Sequence, residues 1–254
     1  MTKRLEGKNV AITGGTSGIG LASAKAFVAE GAMVSLLARS QTKLDEAIAE
    51  IGTNAIGFIG DVTDLPSVEA FYKNTADQLG KIDVVFANAG VADRPPIEEV
   101  DEAIFDKITD INFKGAFFSI KYALPHLNQG ASMILTSSCL NEMGVATLSV
   151  YSATKAAVRS LARSLTPELN KYGARINVLT PGPVATDIEK KLGLSDDEYD
   201  DYAKWMSEKL IPGRLGRVEE MASVAVFLAS DESSFMYGAE IQADGGMNQT
   251  RWAT

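Results

Sequence analysis

Tyr151 and Lys155 are the residues whose types and spacing point most directly to chemistry. They stand four positions apart in Tyr-Ser-Ala-Thr-Lys, and residues 156–162 after them favour a helix. On a helix, two such residues lie on one face, so the phenol and the ammonium can share a site. A neighbouring cation stabilises a phenolate and brings the pKa of a phenol down from ~10 towards the range of efficient proton transfer. The alternative is a chance pair, with the tyrosine half-buried and the lysine extended into water.

Ser138 adds a hydroxyl to this pair. It follows the apolar residues 133–136, which are predicted to form a buried strand. A hydroxyl at the carboxyl end of a strand, facing a helical tyrosine, can hold a carbonyl oxygen while the phenol protonates that oxygen. The three residues together therefore predict acid–base chemistry at a carbonyl group.

A glycine-rich turn near the start of the chain indicates a phosphate-binding site. Residues 8–13 are predicted to form a strand and residues 18–30 a helix, and the turn between them holds Gly14, Gly18 and Gly20. Glycines allow a tight turn and a close approach of backbone to a ligand, and the N-terminus of the helix attracts anions. The spacing differs from the common G-x-G-x-x-G pattern, and a purely structural turn is the alternative.

Strands and helices then alternate along the chain. Further strands are predicted at residues 33–38, 55–59, 82–87, 133–136, 175–179 and 240–243, and helices at 42–51, 66–79, 102–126, from Tyr151 onwards and at 218–229. Strands separated by helices pair in parallel through right-handed crossovers. The predicted fold is α/β, a doubly wound parallel sheet of about seven strands with helices on both faces, as a single domain over residues 1–254.

One segment interrupts the alternation. Residues 187–214 include an acidic stretch and apolar side chains at helical spacing, Trp205 and Met206 among them. Because this segment follows the sixth strand directly, we expect a small helical lid over the substrate. An ordinary surface helix is the alternative.

Composition excludes several classes of function. The net charge of −9 disfavours nucleic acid and anionic membranes as partners. Cys139 is the single cysteine, which excludes an intrachain disulfide and fits a reducing compartment; with no signal-like or membrane-spanning stretch, we expect a cytoplasmic protein. The one histidine, His126, disfavours a Ser–His hydrolase, and no cluster has the spacing of metal ligands.

Polar residues and glycines recur where the predicted strands end. Ligands of open parallel sheets bind outside the carboxyl ends of the strands, so these residues are expected to share one rim. In strand order they are Gly14, Arg39, Asp61, Asn88-Ala89-Gly90, Ser138 and Pro181-Gly182.

Several spaced motifs in this order resemble the short-chain dehydrogenase/reductase family, over about residues 7–246. The resemblance implies a Rossmann-like fold. It is carried by Thr13-Gly14-x-x-x-Gly18-Ile19-Gly20, Asp61-Val62, Asn88-Ala89-Gly90, Asn112, Ser138, Tyr151-x-x-x-Lys155, Pro181-Gly182 and Asp244-Gly245-Gly246.

The resemblance also implies roles for individual residues. Tyr151 would be the general acid and base, Lys155 would lower its pKa and hold the nicotinamide ribose, and Ser138 would orient the carbonyl. Asn112 would help to hold a water in the proton relay, although a mid-helix amide bonded to backbone is the alternative. For the carboxamide of the cofactor, Thr186 is preferred over Ile188. Further cofactor contacts would come from Gly14, Thr16, Ser17, Gly18, Ile19, Gly20, Arg39, Ser40, Asp61, Val62, Asn88, Ala89, Gly90, Pro181, Gly182, Val184 and Thr186.

The end of the second strand distinguishes the two nicotinamide cofactors. An acidic residue there binds the ribose 2′-hydroxyl of NAD, whereas this chain has Ala38, Arg39 and Ser40. A guanidinium and a hydroxyl can bind a 2′-phosphate, so NADP(H) is expected. Ser17 stands where many NADP-using relatives carry a basic residue, which leaves NAD(H) open as an alternative.

The predicted function is reversible, NADPH-dependent reduction of a ketone or aldehyde to an alcohol, with a small-molecule carbonyl or alcohol as partner. Alternatives are an NAD-preferring alcohol, sugar or steroid dehydrogenase, an enoyl reductase, and a catalytically silent NADP-sensing protein. The four-residue spacing of tyrosine and lysine disfavours the enoyl reductase. The resemblance further implies a homotetramer, with the helices that contain Asn112 and Tyr151 forming one interface.

Overall fold

A parallel sheet positions every candidate residue. The computed structural model describes residues 3–186 and 195–250, and within them seven strands pair in the order β3-β2-β1-β4-β5-β6-β7. The strands are β1 (Asn9–Thr13), β2 (Met33–Ala38), β3 (Ala55–Ile59), β4 (Ile82–Ala87), β5 (Leu127–Thr136), β6 (Arg175–Pro181) and β7 (Glu240–Ala243). Every pair is parallel, as the alternation of strands and helices predicts.

Helices cover both faces of the sheet. They are α1 (Gly18–Ala29), α2 (Gln41–Ile51), α3 (Leu65–Leu79), α4 (Glu102–Thr109), α5 (Gly115–Ala123), α6 (Ser149–Leu169), α7 (Asp196–Ser207) and α8 (Val218–Ala229). Side chains of α1, α2 and α8 pack in one core, and side chains of α3, α5 and α6 pack in the other. The doubly wound α/β prediction is confirmed.

The middle of β1 is a continuous apolar run because helices cover both faces of the sheet. In β1, Val10 and Ile12 point into the core beneath α1 and α8, while Ala11 points into the core beneath α3 and α6. All three are fully buried. Continuous apolar strands of this kind are typical of parallel sheets with helices on both sides.

Three elements differ from the sequence prediction by more than one residue or in the type of helix. Strand β5 begins at Leu127 rather than at residue 133, and its register against β4 shifts between Ile82 and Val84. Strand β6 continues to Pro181, which pairs with Ala243 although it lacks an N–H, because this position is the last of the strand. The helix predicted over residues 102–126 contains one π-helical turn, Asp110–Lys114, and ends in a 3₁₀ turn.

A partly buried carboxylate joins three strands at their amino ends, opposite to the candidate site. Asp83, near the start of β4, accepts hydrogen bonds from the backbone N–H of Asn9 at 2.9 Å and from Asn128 Nδ2 at 3.0 Å. Lys8 Nζ lies 3.6 Å from the same carboxylate. Asp83 thus joins the starts of β1, β4 and β5.

Candidate active site

Lys155 is buried beside Tyr151 on α6. Its Nζ lies 5.6 Å from the centre of the Tyr151 ring and donates a 3.0 Å hydrogen bond to the carbonyl oxygen of Thr136. The side chain is not extended into water, since Lys155 is 4% exposed. Burial lowers the pKa of Lys155 to about 8, because a charged ammonium loses its hydration there. The chance-pair alternative of a solvated lysine is therefore wrong.

Ser138 lies where β5 ends and begins the 3₁₀ turn Cys139–Asn141. Its Oγ accepts a 3.3 Å hydrogen bond from the backbone N–H of Leu140, which leaves the hydroxyl proton able to serve another acceptor. The neighbouring Ser137 donates from Oγ to the carbonyl of Lys155 at 3.0 Å. Sequence reasoning missed this role of Ser137, which joins the end of β5 to the helix that carries Tyr151.

Asn112 is buried in the π-helical turn and serves as a bridge. Its Oδ1 accepts from the backbone N–H of Val91 at 2.8 Å, and its Nδ2 donates to the carbonyl of Val91 at 2.9 Å and to Thr154 Oγ1 at 3.2 Å. Thr154 in turn donates to the carbonyl of Tyr151 at 2.7 Å. The amide therefore ties the loop after β4 to α6, and the threonine between Tyr151 and Lys155 is the one signal of this link in the sequence.

The glycine-rich turn packs closely against the end of β4. Gly14 has φ +69° and Gly18 has φ +52°, conformations that disfavour side chains. A Cβ on Gly14 would lie 2.8 Å from the Cα of Ala89, and a Cβ on Gly20 would lie 2.1 Å from the carbonyl oxygen of Gly14. Thr16, Ser17 and Ile19 follow from the same turn into the start of α1.

Asn88 holds three strand ends together. Its Nδ2 donates to the carbonyl of Gly14 at 3.1 Å, and its Oδ1 accepts from Thr136 Oγ1 at 3.2 Å. The backbone N–H groups of Asn88 and Ala89 donate to Thr13 Oγ1. The amide predicted to line the cofactor cleft thus fixes the ends of β1, β4 and β5, and Thr13 is a second residue whose structural role sequence reasoning missed.

Gly90 lies next to the buried charge. A Cβ added to Gly90 would be 3.4 Å from Lys155 Nζ and 3.4 Å from Asn112 Oδ1. The backbone after β4 consequently passes close to the lysine, and a larger residue at this position would crowd the space in front of it.

The residues expected to select the cofactor lie at the ends of β2 and β3. Arg39 is 68% exposed, and its Nη1 lies 3.8 Å from Asp61 Oδ2. Ser40 caps α2 by accepting from the N–H of Lys43 at 3.4 Å, and Asp61 Oδ1 accepts from the N–H and the hydroxyl of Thr63 at 2.9 Å. Val62 is buried. An exposed ion pair at 3.8 Å adds little stability, so the guanidinium can reorient towards another anion.

The loop after β6 closes over the glycine-rich turn. A Cβ on Gly182 would lie 2.5 Å from the Cα of Asp244, and Val184 pairs with Gly216 in an isolated parallel bridge. Thr186 approaches Gly18, because a Cβ there would be 3.5 Å from Thr186 Cγ2. Ile188 lies outside the described residues.

The segment predicted as a lid is described from residue 195 onwards and contains α7. The helix begins with a capping box in which Ser195 and Glu198 bond reciprocally. Arg94, in the loop after β4, lies 5.4 Å from the centre of the Tyr202 ring. Met206 is buried and Trp205 half-exposed, so of these two only Trp205 offers apolar surface outwards.

Three features of these residues are compatible with the binding of a dinucleotide. The first turn of α1, Gly18-Ile19-Gly20, holds no acidic side chain that would compete with a phosphate. Glycines with positive φ bring the backbone of this turn against the end of β4. The buried ammonium of Lys155 lacks a carboxylate partner among residues 3–186 and 195–250, and it lies next to Gly90.

Two other kinds of feature are missing from the part of the chain that the structure describes. No group of three or more His, Cys, Asp or Glu residues there could hold a metal ion. In the same residues, every helix is too short or too polar to cross a membrane.

Comparisons with known proteins agree with the fold just described. A family model described as enoyl-(acyl carrier protein) reductase matches residues 14–248. The chain is 42% identical to oxidoreductase asL5 of Sarocladium schorii over 249 residues, which are 97% of this chain and 98% of that protein. It is 34% identical to tropinone reductase-like 3 of Erythroxylum coca over 248 residues, with 96% and 94% covered.

A solved structure extends the likeness to three dimensions. The crystal structure of levodione reductase matches with a TM-score of 0.91 and 30% identity, covering 98% of this chain and 100% of that one. The sheet order, the motifs at its carboxyl rim and these matches along nearly the whole sequence lead to one conclusion: the chain belongs to the short-chain dehydrogenase/reductase family.

Proposed function

We propose that this protein is an NADPH-dependent oxidoreductase that reversibly reduces a ketone or aldehyde to an alcohol, with Tyr151 as general acid and base. Members of the family are oxidoreductases that use nicotinamide dinucleotides. The observation that carries the proposal is the buried ammonium of Lys155 beside the Tyr151 ring, at the rim where the glycine-rich turn also lies.

Each residue of the group has a distinct task in this reaction. The hydroxyl of Ser138 donates to the carbonyl oxygen of the substrate and holds it near the phenol. The phenol of Tyr151 gives its proton to that oxygen during reduction and takes it back during oxidation, a contribution of about 10²–10⁴-fold. The charge of Lys155 stabilises the phenolate that results. When bound, the cofactor supplies the hydride, while the protein supplies binding, orientation and electrostatics.

The cofactor would be held along the carboxyl rim. Backbone N–H groups at the start of α1 would bind the phosphates, and Lys155 would bind the nicotinamide ribose. The remaining predicted contacts would come from the ends of β3, β4 and β6 and the residues that follow them. These are Asp61 and Val62 for adenine, residues 88–90 for the cleft wall, and Pro181, Gly182, Val184 and Thr186 for the nicotinamide end.

The choice of NADPH over NADH is proposed from the end of β2. Arg39 is exposed at a position where no carboxylate follows the strand, and Ser40 comes next in the chain. One observation favours the alternative: Asp61 lies 3.8 Å from Arg39 and offsets part of its charge. NAD(H) use is therefore the second candidate.

The names of similar proteins support carbonyl reduction and also indicate the alternative reaction, enoyl reduction. Levodione reductase and tropinone reductase-like 3 are both named for reductases, whereas the matched family model is described as an enoyl-(acyl carrier protein) reductase. The four-residue spacing of Tyr151 and Lys155 supports carbonyl reduction over enoyl reduction.

Consumption of NADPH by the purified protein tests the proposal. The panel should contain ketones, aldehydes, 3-oxoacyl thioesters and 2-enoyl thioesters, each with NADPH and with NADH. We expect turnover with members of the first three classes. Turnover with enoyl thioesters alone would make the protein an enoyl reductase, and NADPH binding without turnover of any substrate would make it a cofactor sensor.

We also propose that the protein is a cytoplasmic homotetramer. Its single cysteine is buried and unpaired. Apolar side chains are exposed on two separate parts of the surface: Phe105 and Phe113 along α4 and the π-helical turn, and Phe235 and Tyr237 before β7. Two such surfaces on one chain fit the two kinds of interface that a tetramer built as a dimer of dimers requires.

A further inference from the structure

Glu240, the first residue of β7, is a largely buried carboxylate with three donors from three different elements. Its side chain is 10% exposed. Oε1 accepts from Thr180 Oγ1 at 2.5 Å and from Asn141 Nδ2 at 2.6 Å, and Oε2 accepts from Arg159 Nε at 2.7 Å. Such charge-assisted bonds are the strong ones, and all of them depend on a single side chain.

The three donors belong to the elements that carry the candidate active site. Asn141 ends the turn that Ser138 begins, and Thr180 precedes the Pro181-Gly182 loop. Arg159 lies one helical turn after Lys155, and its Nη1 also donates to the carbonyl of Gly238 at 2.9 Å. Glu240 therefore joins the Ser138 turn to α6 and to the end of β6.

A second path leads from the same cluster to the backbone of Lys155. Asn141 Nδ2 donates to Ser137 Oγ at 3.2 Å as well as to Glu240, and Ser137 Oγ donates to the carbonyl of Lys155. The position of Ser138 relative to α6 is thus set from both sides, through Ser137 before it and through Asn141 after it.

We propose that Glu240 is a positioning residue for the reaction, which holds the Ser138 hydroxyl in register with Tyr151 and Lys155. This inference rests on the proposed function of those three residues. The rate of proton transfer to a held carbonyl falls steeply when donor and acceptor shift by fractions of an ångström. The negative charge of Glu240 matters as well as its shape, because it faces three donors at once, one of them the Arg159 guanidinium.

The substitution Glu240→Gln tests the charge while keeping the shape. A glutamine amide offers one oxygen and one NH₂ group, so at least one of the three donors would then face another donor. We expect kcat to fall at least tenfold while KM for NADPH stays within twofold of wild type. Asn141→Ala breaks the same link from the side of the turn and should produce the same split of kcat and KM.

The chain supplies a matched control in Asp83. The Asp83 side chain is 13% exposed and also accepts hydrogen bonds from neighbouring elements. It lies at the amino ends of the strands, opposite to the candidate site. Asp83→Asn should lower the free energy of unfolding to a similar degree as Glu240→Gln and leave kcat within twofold of wild type.

Cys139 gives a measurement that needs no turnover. It is the single cysteine of the chain, lies between Ser138 and Asn141, and is buried with a pKa raised to about 11 by that burial. Its reaction with a thiol reagent under native conditions therefore reports opening of the turn. We expect Glu240→Gln and Asn141→Ala to speed labelling at least tenfold relative to Asp83→Asn at equal global stability.

The two measurements separate the possible failures. Unchanged kcat and unchanged Cys139 labelling in Glu240→Gln would overturn the positioning role. A wild-type protein without turnover of any carbonyl would overturn the proposed function instead, and the labelling rates would still decide whether Glu240 holds the turn. A fall in kcat that Asp83→Asn reproduces would reduce Glu240 to a general stabilising residue and also overturn the inference.

Discussion

The ammonium of Lys155 donates to the main-chain carbonyl of Thr136, the last residue of β5, at 3.0 Å. A neutral carbonyl compensates only part of the hydration that a buried charge loses. The bond therefore fixes the lysine beside Tyr151 without neutralising it, and the cost of burial appears as a lowered pKa.

Tyr151→Phe should remove the proton donor and little else. We expect a fall in kcat of about 10²–10⁴-fold with carbonyl substrates, because general acid catalysis is lost. The dissociation constant of NADPH, measured by fluorescence titration, should change less than threefold. Tyr122→Phe is the matched control, since Tyr122 is a half-buried tyrosine of α5 whose ring contacts Phe118. Full turnover by Tyr151→Phe would refute the assignment of the acid.

Lys155→Met should abolish turnover and stabilise the protein without cofactor at neutral pH. A pKa lowered from 10.5 to about 8 corresponds to a penalty of about 3 kcal/mol for the buried charge. Loss of the bond to Thr136 takes back about 1 kcal/mol, so a net gain of about 2 kcal/mol in the free energy of unfolding is expected at pH 7.

The same substitution predicts a difference in pH dependence. Between pH about 8 and 10.5 the unfolded wild-type chain binds a proton at Lys155 that the folded chain does not, so its stability rises with pH in this window. The advantage of Lys155→Met should therefore be complete below pH 8 and disappear towards pH 10.5. Urea unfolding of both proteins at several pH values measures this difference in the free energy of unfolding. A Lys155→Met variant less stable than wild type at pH 7 would contradict the burial penalty.

Arg39→Ala should weaken the binding of NADPH more than the binding of NADH. Loss of a guanidinium that binds a 2′-phosphate is expected to raise KM for NADPH about tenfold and to leave KM for NADH within twofold. Arg217→Ala is the matched control, since Arg217 is exposed to nearly the same degree and pairs with Glu220. An unchanged ratio of the two KM values would indicate that the site was assigned to the wrong cofactor.

Phe235→Asp should divide the proposed tetramer into dimers. Phe235 is 98% exposed in the single chain, and a charge placed in an apolar interface costs several kcal/mol. Light scattering after gel filtration should show half of the wild-type mass. Ile97→Asp, which also replaces an exposed apolar residue, serves as control. A wild-type monomer, or an unchanged mass for Phe235→Asp, would contradict the role given to this surface.

Most of the sheet could be predicted because its signals are local. Apolar runs such as Ile82–Ala87 are followed by helices of sufficient length, which leaves parallel pairing as the remaining arrangement. The start of β5 could not be predicted in this way. Asn128, Gln129 and Gly130 have no apolar periodicity, and their place in the sheet depends on an irregular register with β4.

In the candidate site, too, local relationships could be predicted and contacts between distant residues could not. Tyr151 and Lys155 are linked by helix geometry, so their proximity could be read from four positions of sequence. Glu240 and Asn141 are 99 residues apart, and no local pattern relates them. Ser137, Thr154 and Thr13 have the same limitation, since each acts through a hydrogen bond to a distant element and the sequence offers only a common polar residue.

The clamp that Asp83 forms at the amino ends of three strands has a practical consequence for protein engineering. Asp83 holds the amino ends of β1, β4 and β5 together, whereas the loops that would contact a substrate lie at the carboxyl ends of the strands. Segments such as residues 142–147 can therefore be transplanted from other enzymes, or randomised in libraries, without loosening the frame that carries Tyr151. Reprogramming of selectivity in this chain should begin with those loops and leave Asn9, Asp83 and Asn128 untouched.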